Sequence, residues 1–178
     1  MSVKNTDCCG CSACAVVCPK NAVKMGFDSN GFYTSSVDDD TCINCGLCEK
    51  VCPVITNEAP AISKENVFIA VSRDKSVLER SSSGGIGYVF AKKALQNDMP
   101  VCAVTYNAEK KCAEHIVVEE SDELYRTQGS KYLQSSSYEG FENIVGRGKG
   151  IVFGTPCQIA GLNKLLKIKN IRDKYILA

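Results

Sequence analysis

A run of four cysteines occurs twice in this chain, at a constant offset of 34 residues. Cys8, Cys11 and Cys14 step by three, and Cys18-Pro19 closes the run. Cys42, Cys45, Cys48 and Cys52-Pro53 repeat it position for position. Three cysteines at three-residue steps curl the backbone into a tight loop, and a fourth has to reach that loop from elsewhere. Proline closes each run because it has no amide hydrogen and holds the residue before it away from helical geometry. Gly10, Ser12, Ala13 and Gly46 are small, so backbone amides inside the loops come close to whatever the thiols hold. A segment this short buries little apolar surface, so its folding energy must come largely from the group its thiolates bind.

The spacing is that of two-cluster bacterial ferredoxins, in which the fourth cysteine of each run ligates the other cluster. It assigns one [4Fe–4S] cluster to Cys8, Cys11, Cys14 and Cys52 and the second to Cys42, Cys45, Cys48 and Cys18. Paired Cys-x-x-Cys units also hold structural zinc. Zinc, however, calls for neither a third cysteine at the same step nor a Cys-Pro fourth, twice over. A disulfide framework belongs to oxidising compartments, and no charged-then-apolar leader opens the chain. The expected location is therefore the cytoplasm. Cys9 falls outside the pattern and reads as a spare thiol.

Lys and Arg number 21 against 20 Asp and Glu, which argues neither for nucleic acid nor for an anionic membrane surface. The apolar runs are too short to span a bilayer. With 178 residues the chain has room for one ordinary domain and a small one. The expected fold class is α+β: a small ferredoxin-like dicluster domain over 1–57, a linker over 58–66, and an α/β domain with a mostly parallel sheet over 67–178. An apolar strand at the last residue is an abrupt end, and a chain truncated at its C-terminus is the expectation.

Within the first domain, alternation on either side of Asp28-Ser-Asn-Gly31 predicts a β-hairpin from Ala22 to Thr34, and a short helix should follow each cysteine triplet. In the second, strands are expected at Val67–Val71, Val101–Tyr106, His115–Val118, Gly150–Phe153 and Tyr175–Ala178. Helices are expected at Gly84–Gln96, from Ser121, at Tyr138–Val145 and at Gln158–Leu166.

Two turns suit a cofactor. Ser81-Ser-Ser-Gly-Gly-Ile-Gly87 opens a helix, and its hydroxyls and amides favour a phosphate. A solvated serine loop capping the helix would look the same, and the Gly-Lys-Ser/Thr end of a P-loop is missing. Ile151 to Gln158 gives a strand, a glycine turn, Thr155 at an N-cap, Pro156 at N1 and Cys157 in the first turn. A thiol there should have a lowered pKa and serve as nucleophile, cluster ligand or flavin neighbour, or simply fill space. Cys102 and Cys112 read as core or loop thiols, and His115, the single histidine, as structural.

Arg80-Ser-Ser-Ser-Gly-Gly85, Gly129-Ser-Lys-Tyr132 and Gly154-Thr-Pro-Cys-Gln-Ile-Ala-Gly-Leu162 together resemble the coenzyme F420 hydrogenase/dehydrogenase β-subunit family. The resemblance implies a flavoprotein that binds FAD and exchanges electrons with iron–sulfur clusters. It implies that Ser82, Ser83, Gly84 and Gly85 lie near the FAD and Lys131 near its phosphate or ring. Thr155 and Cys157 would face the cofactor or the cluster region. The expected function is that of an oxidoreductase subunit. It would pass electrons between a hydride-type cofactor or substrate, coenzyme F420 among them, and a ferredoxin or partner subunit, through FAD and two clusters. A non-enzymatic carrier whose second domain only docks a partner is the alternative.

Overall fold

The computed structural model describes residues 7–56 and 68–178. The residues expected to link the two domains lie outside that range. In the N-terminal module the duplicated sequence gives a duplicated backbone. Gly10 and Asn44, related by the offset, both take left-handed geometry, at φ 67° and 53°, as do Ser12 and Gly46 at 62° and 72°. Each cysteine loop thus turns left-handed on both sides of its middle cysteine, Cys11 or Cys45, which is what curls it. A five-residue helix follows in each copy, α1 (Ala13–Val17) and α2 (Leu47–Val51). The closing cysteines are extended, Cys18 at φ −70°, ψ 113° and Cys52 at φ −69°, ψ 117°, as the following prolines require. Pro53 itself starts a further turn, α3 (Pro53–Thr56).

Between the copies lies the expected hairpin. Strands β1 (Val23–Phe27) and β2 (Tyr33–Val37) pair antiparallel, Val23 opposite Val37. Asp28 fixes the turn, its carboxylate accepting the amides of Asn30 and Phe32, each at 2.9 Å.

The second part carries helices α4 (Lys75–Glu79), α5 (Ile86–Leu95), α6 (Tyr138–Arg147) and α7 (Pro156–Ile168). Its strands are β3 (Val101–Asn107), β4 (Cys112–Val118), β5 (Ser135–Ser136), β6 (Gly150–Val152) and β7 (Tyr175–Leu177). They form one sheet in the order β5-β4-β3-β6-β7. The β3–β4 hairpin is antiparallel, and the other three pairings are parallel. The fold is α+β with a mostly parallel main sheet, as expected.

Two expectations fail locally. Residues 68–71 form no strand; Phe68 is 81% and Ile69 99% exposed, and Val67 lies outside the described residues. The β-branched composition favoured a strand, but this segment lies beside the serine-glycine turn. The Ser72 amide there donates to the Gly84 carbonyl at 2.7 Å. The helix expected from Ser121 is a 3₁₀ turn at Leu124–Thr127, closed by three-residue bonds such as Arg126 N–H to Glu123 O at 3.1 Å.

Alternation along the strands divides the core. Val101, Ala103 and Ile151 pack with Ala91 and Ala94 of α5. Cys102 and Val152 face the other way, into a cluster with Phe141 and Ile144 of α6 and Leu162, Leu165 and Leu166 of α7. That second cluster also contains Cys11, Ala13, Cys14, Ala15, Val17, Val23 and Val51. The N-terminal module is therefore packed on the α6–α7 layer and shares its core.

Candidate functional site

The cysteines of each set read from the spacing line a common hollow. Cys8, Cys11, Cys14 and Cys52 line one narrow hollow, together with Cys9, Ser12, Met25 and Ser35. Cys18, Cys42, Cys45 and Cys48 line another, of about 270 Å³. Of the repeated cysteines, each hollow takes three from one run and the fourth from the other, and the first hollow has Cys9 besides. Among the described residues no three His, Cys, Asp or Glu side chains converge as they would on one ion. A cubane binds each thiolate at a different iron, and the repeated cysteines lining each hollow are the four-thiol donor set it calls for.

The sets differ in surroundings. Cys11 and Cys14 are buried, whereas Cys45 is exposed. Burial pushes the Cys14 thiol up to about 11, with the thiols of Cys8 and Cys52 adding to the rise. Burial also raises Cys18, but the amides of Lys20, Ala22, Val23 and Asn21 outweigh it and bring the thiol below its ordinary value. The Ala22 amide lies 3.3 Å from Cys18 Sγ. Amides donated to ligand sulfur stabilise added negative charge and so set cluster potential.

A third hollow, about 480 Å³, opens in the second part of the chain. It lies at the carboxyl end of parallel strand β6, the usual place for a ligand in an α/β sheet. Its volume is within the range of cofactor sites. Ser82, Ser83 and Gly85 line it at the start of α5, Lys131 on a neighbouring loop, and Thr155 at the start of α7. The motifs are joined to each other, since Ser130 N–H donates to Ser82 Oγ at 2.8 Å. Gly85 stands at φ 73° as the N-cap of α5, a conformation that favours glycine. Lys131 Nζ donates to the Gln128 carbonyl at 2.7 Å, and burial lowers its pKa. Two helix N-termini and an ammonium so face one cavity, a setting suited to an anionic ligand.

Gly84 and Cys157 are not in the lining. Gly84 faces the chain behind it; a Cβ there would stand 2.4 Å from the Ala70 carbonyl oxygen. Cys157 turns toward the cysteine loops. Its expected low pKa is not found: the adjacent Cys9 thiol, and then burial, raise it. Cys9 is itself raised to about 11, chiefly by its neighbour Cys11. The Cys9 thiol and burial outweigh the benefit of the helix terminus.

Sequence reasoning missed the residues that hold these parts together. Gln158 lines the cavity; its Oε1 accepts the Thr155 amide at 2.9 Å and its Nε2 donates to Ser135 Oγ at 3.1 Å. The Thr-x-x-Gln capping-box spacing was the available signal. Gln134 accepts the Tyr33 amide at 2.6 Å and reaches the Cys9 carbonyl at 3.4 Å. The buried Ser137 hydroxyl donates to the Cys11 carbonyl at 3.1 Å. His115 Nε2 lies 3.1 Å from the Phe153 carbonyl oxygen, and Nδ1 is buried without a partner among the described residues. Cys102 is core and Cys112 half-buried in β4.

Comparison with known proteins agrees with the motifs. The family model of the 4Fe-4S dicluster domain matches residues 7–55. That of the coenzyme F420 hydrogenase/dehydrogenase, beta subunit N-term, matches residues 67–139. No curated protein matches the chain. Among solved structures, a chain of the F420-reducing [NiFe] hydrogenase complex from Methanosarcina barkeri superposes with TM-score 0.49 at 18% identity. The match covers 60% of this chain and 40% of that one, and a likeness so loose decides nothing about function. No helix among the described residues is long and apolar enough to cross a membrane.

Proposed function

We propose, for an iron–sulfur electron-transfer chain related to the coenzyme F420 hydrogenase/dehydrogenase β subunit, that it is an oxidoreductase subunit in which FAD occupies the large cavity. Electrons pass from that cavity through the first cluster and then the second to a partner. The observation that carries this reading is the position of the first cysteine set. Cys11 lies against α7, where a Cβ at Gly161 would stand 3.0 Å from its sulfur. The N-terminal turn of the same helix borders the cavity at Thr155 and Gln158.

Each group has a task on this reading. The eight cysteines hold two [4Fe–4S] clusters in the crosswise sets. Lys131, Ser82, Ser83 and the amides beginning at Gly85 hold the cofactor's phosphates, and Thr155 borders its redox end. Gly84 shapes the turn from behind. Bound FAD would supply the exchange of a two-electron hydride for single electrons, which a cluster alone cannot perform. The hydride partner is a deazaflavin such as coenzyme F420 or a similar carrier. The exposed side of Cys45 is where a ferredoxin or partner subunit docks. Oxygen-labile clusters suit the cytoplasm.

The test is one anaerobic sample, reconstituted with iron and sulfide, then titrated with FAD. Iron and sulfide matching two cubanes, with flavin bands above the broad cluster absorption, are expected. Clusters without retained flavin at saturating FAD would make the chain a one-electron carrier and overturn the enzymatic reading.

A further inference from the structure

The hairpin between the two cysteine runs does more than join them. Side chains alternate along a strand, so Val23 and Met25 of β1 share one face with Ser35 and Val37 of β2. The register sets Val23 opposite Val37 and Met25 opposite Ser35. Each of these cross-strand pairs lines a different hollow. Met25 and Ser35 lie in the wall of the Cys8, Cys11, Cys14 and Cys52 hollow. Val23 and Val37 lie in the wall of the Cys18, Cys42, Cys45 and Cys48 hollow. One face of the hairpin is therefore laid across both cysteine sets.

The two pairs differ in chemistry. The two valines offer the second set only methyl groups. Met25 and Ser35 offer the first a hydroxyl, and Ser35 Oγ lies 3.9 Å from Cys8 Sγ. A thiolate that binds iron carries no proton, so the hydroxyl is the donor across this contact and the sulfur the acceptor. Ser12, the other hydroxyl in the lining of that hollow, is directed elsewhere: it donates to the Gly10 carbonyl at 3.4 Å. An electron added to a cubane increases the negative charge on its thiolate sulfurs, and a hydrogen bond donated there favours the reduced state. Burial works the other way, and the first set is the more enclosed, with Cys11 and Cys14 buried while Cys45 of the second is exposed.

We infer that Ser35 sets the potential of the first cluster: its hydroxyl, acting through Cys8, holds that potential above the value the cluster's burial alone would give. The effect is one-sided, because the matching position over the second set is Val37, which has no proton to donate. On the proposed electron route this keeps the enclosed first cluster reducible from the cavity while leaving the second cluster as it is. The inference rests on the crosswise cluster assignment, which places Cys8 in the first set.

The experiment uses the full chain with clusters reconstituted anaerobically. Iron and sulfide are counted, and the sample is then titrated potentiometrically with electron paramagnetic resonance read at each step. Ser35→Ala removes the hydroxyl and Ser35→Thr keeps one; both retain the backbone amide. In Ser35→Ala one of the two cluster potentials should move to a more negative value and the other should stay. The contact-shifted β-protons of Cys8 in the proton NMR spectrum should follow the cluster that moves. Ser35→Thr should match the wild type. Two unmoved potentials in Ser35→Ala, an equal shift in both, or Ser35→Thr behaving as Ser35→Ala would overturn the inference. So would a Ser35→Ala protein with less iron than the wild type, since the residue would then be structural. A wild type without iron and sulfide for two cubanes would instead overturn the assignment beneath it, and the count taken before titration separates the two failures.

Discussion

His115 shows how one buried side chain ties the sheet to the cavity wall. It is 3% exposed, its ring stacks edge-on against Phe141 at 5.2 Å between centroids, and its Nε2 meets the carbonyl of Phe153, a cavity residue. Room for it comes from Gly140, where a Cβ would stand 2.4 Å from the His115 Cβ. Burial, against the hydrogen bond to the Phe153 carbonyl, holds its pKa down to about 4 from 6.5. The folded protein keeps the ring neutral while the unfolded chain takes up a proton below pH 6.5. The contribution to stability is unchanged above that pH and is lost progressively as pH falls toward 4. By pH 5 the loss should reach about 2 kcal/mol. Anaerobic urea unfolding of the wild type and His115→Gln between pH 7.5 and 5 measures it, since the amide does not titrate there. Parallel pH dependence in the two proteins would mean that the ring is free to protonate in the folded state.

The elements show which parts of the sequence were readable. The duplicated cysteine loops and their short helices were legible because the offset and the Cys-Pro ends depend only on local spacing. The hairpin was legible from Asp28-Ser-Asn-Gly31, and helices α5, α6 and α7 from their apolar periodicity. The strand order was not, because β3 pairing with β6 and β4 with β5 depends on contacts far apart in sequence. Nor were Gln134 and Ser137 legible as the residues that join the halves, since single polar residues in a loop carry no period. The glycines of two helices make opposite predictions from the same substitution. Gly146 in α6 has nothing within 4 Å of an added Cβ, so Gly146→Ala should stabilise by up to about 1 kcal/mol through helix propensity. Gly161 in α7 has Ala13 and Cys11 in the way. Gly161→Ala should therefore destabilise by about 1–3 kcal/mol and loosen the first cluster in preference to the second. Thermal unfolding, with iron counted after gel filtration, checks both. Equal iron retention in wild type and Gly161→Ala would show that α7 does not brace the first cysteine loop.

At the scale of the whole molecule, the shared core makes the clusters a structural matter for the entire chain. A dicluster segment standing alone would lose its fold with its iron and leave a neighbour untouched. Here Ala13, Val17 and Val51 fill the same cluster as Leu162, Leu165, Leu166 and Phe141. Lys164 of α7 also donates to Thr56 Oγ1. When the cysteine loops open, that face of α6 and α7 is exposed to water, at a cost of roughly 25 cal/mol per Å² of apolar surface. Removing the iron with a chelator under anaerobic conditions should therefore lower the melting temperature of the α/β part as well. The holo-protein should melt in one transition rather than two. Tyr175 is a local probe, because its hydroxyl donates to the Ile144 carbonyl at 2.9 Å inside the shared core. Near-ultraviolet circular dichroism, read beside the visible cluster bands, follows both parts at once. If the α/β signal melts at the same temperature with and without iron, the two modules are energetically independent despite their contact. The cavity would then be a site that needs no cluster to form.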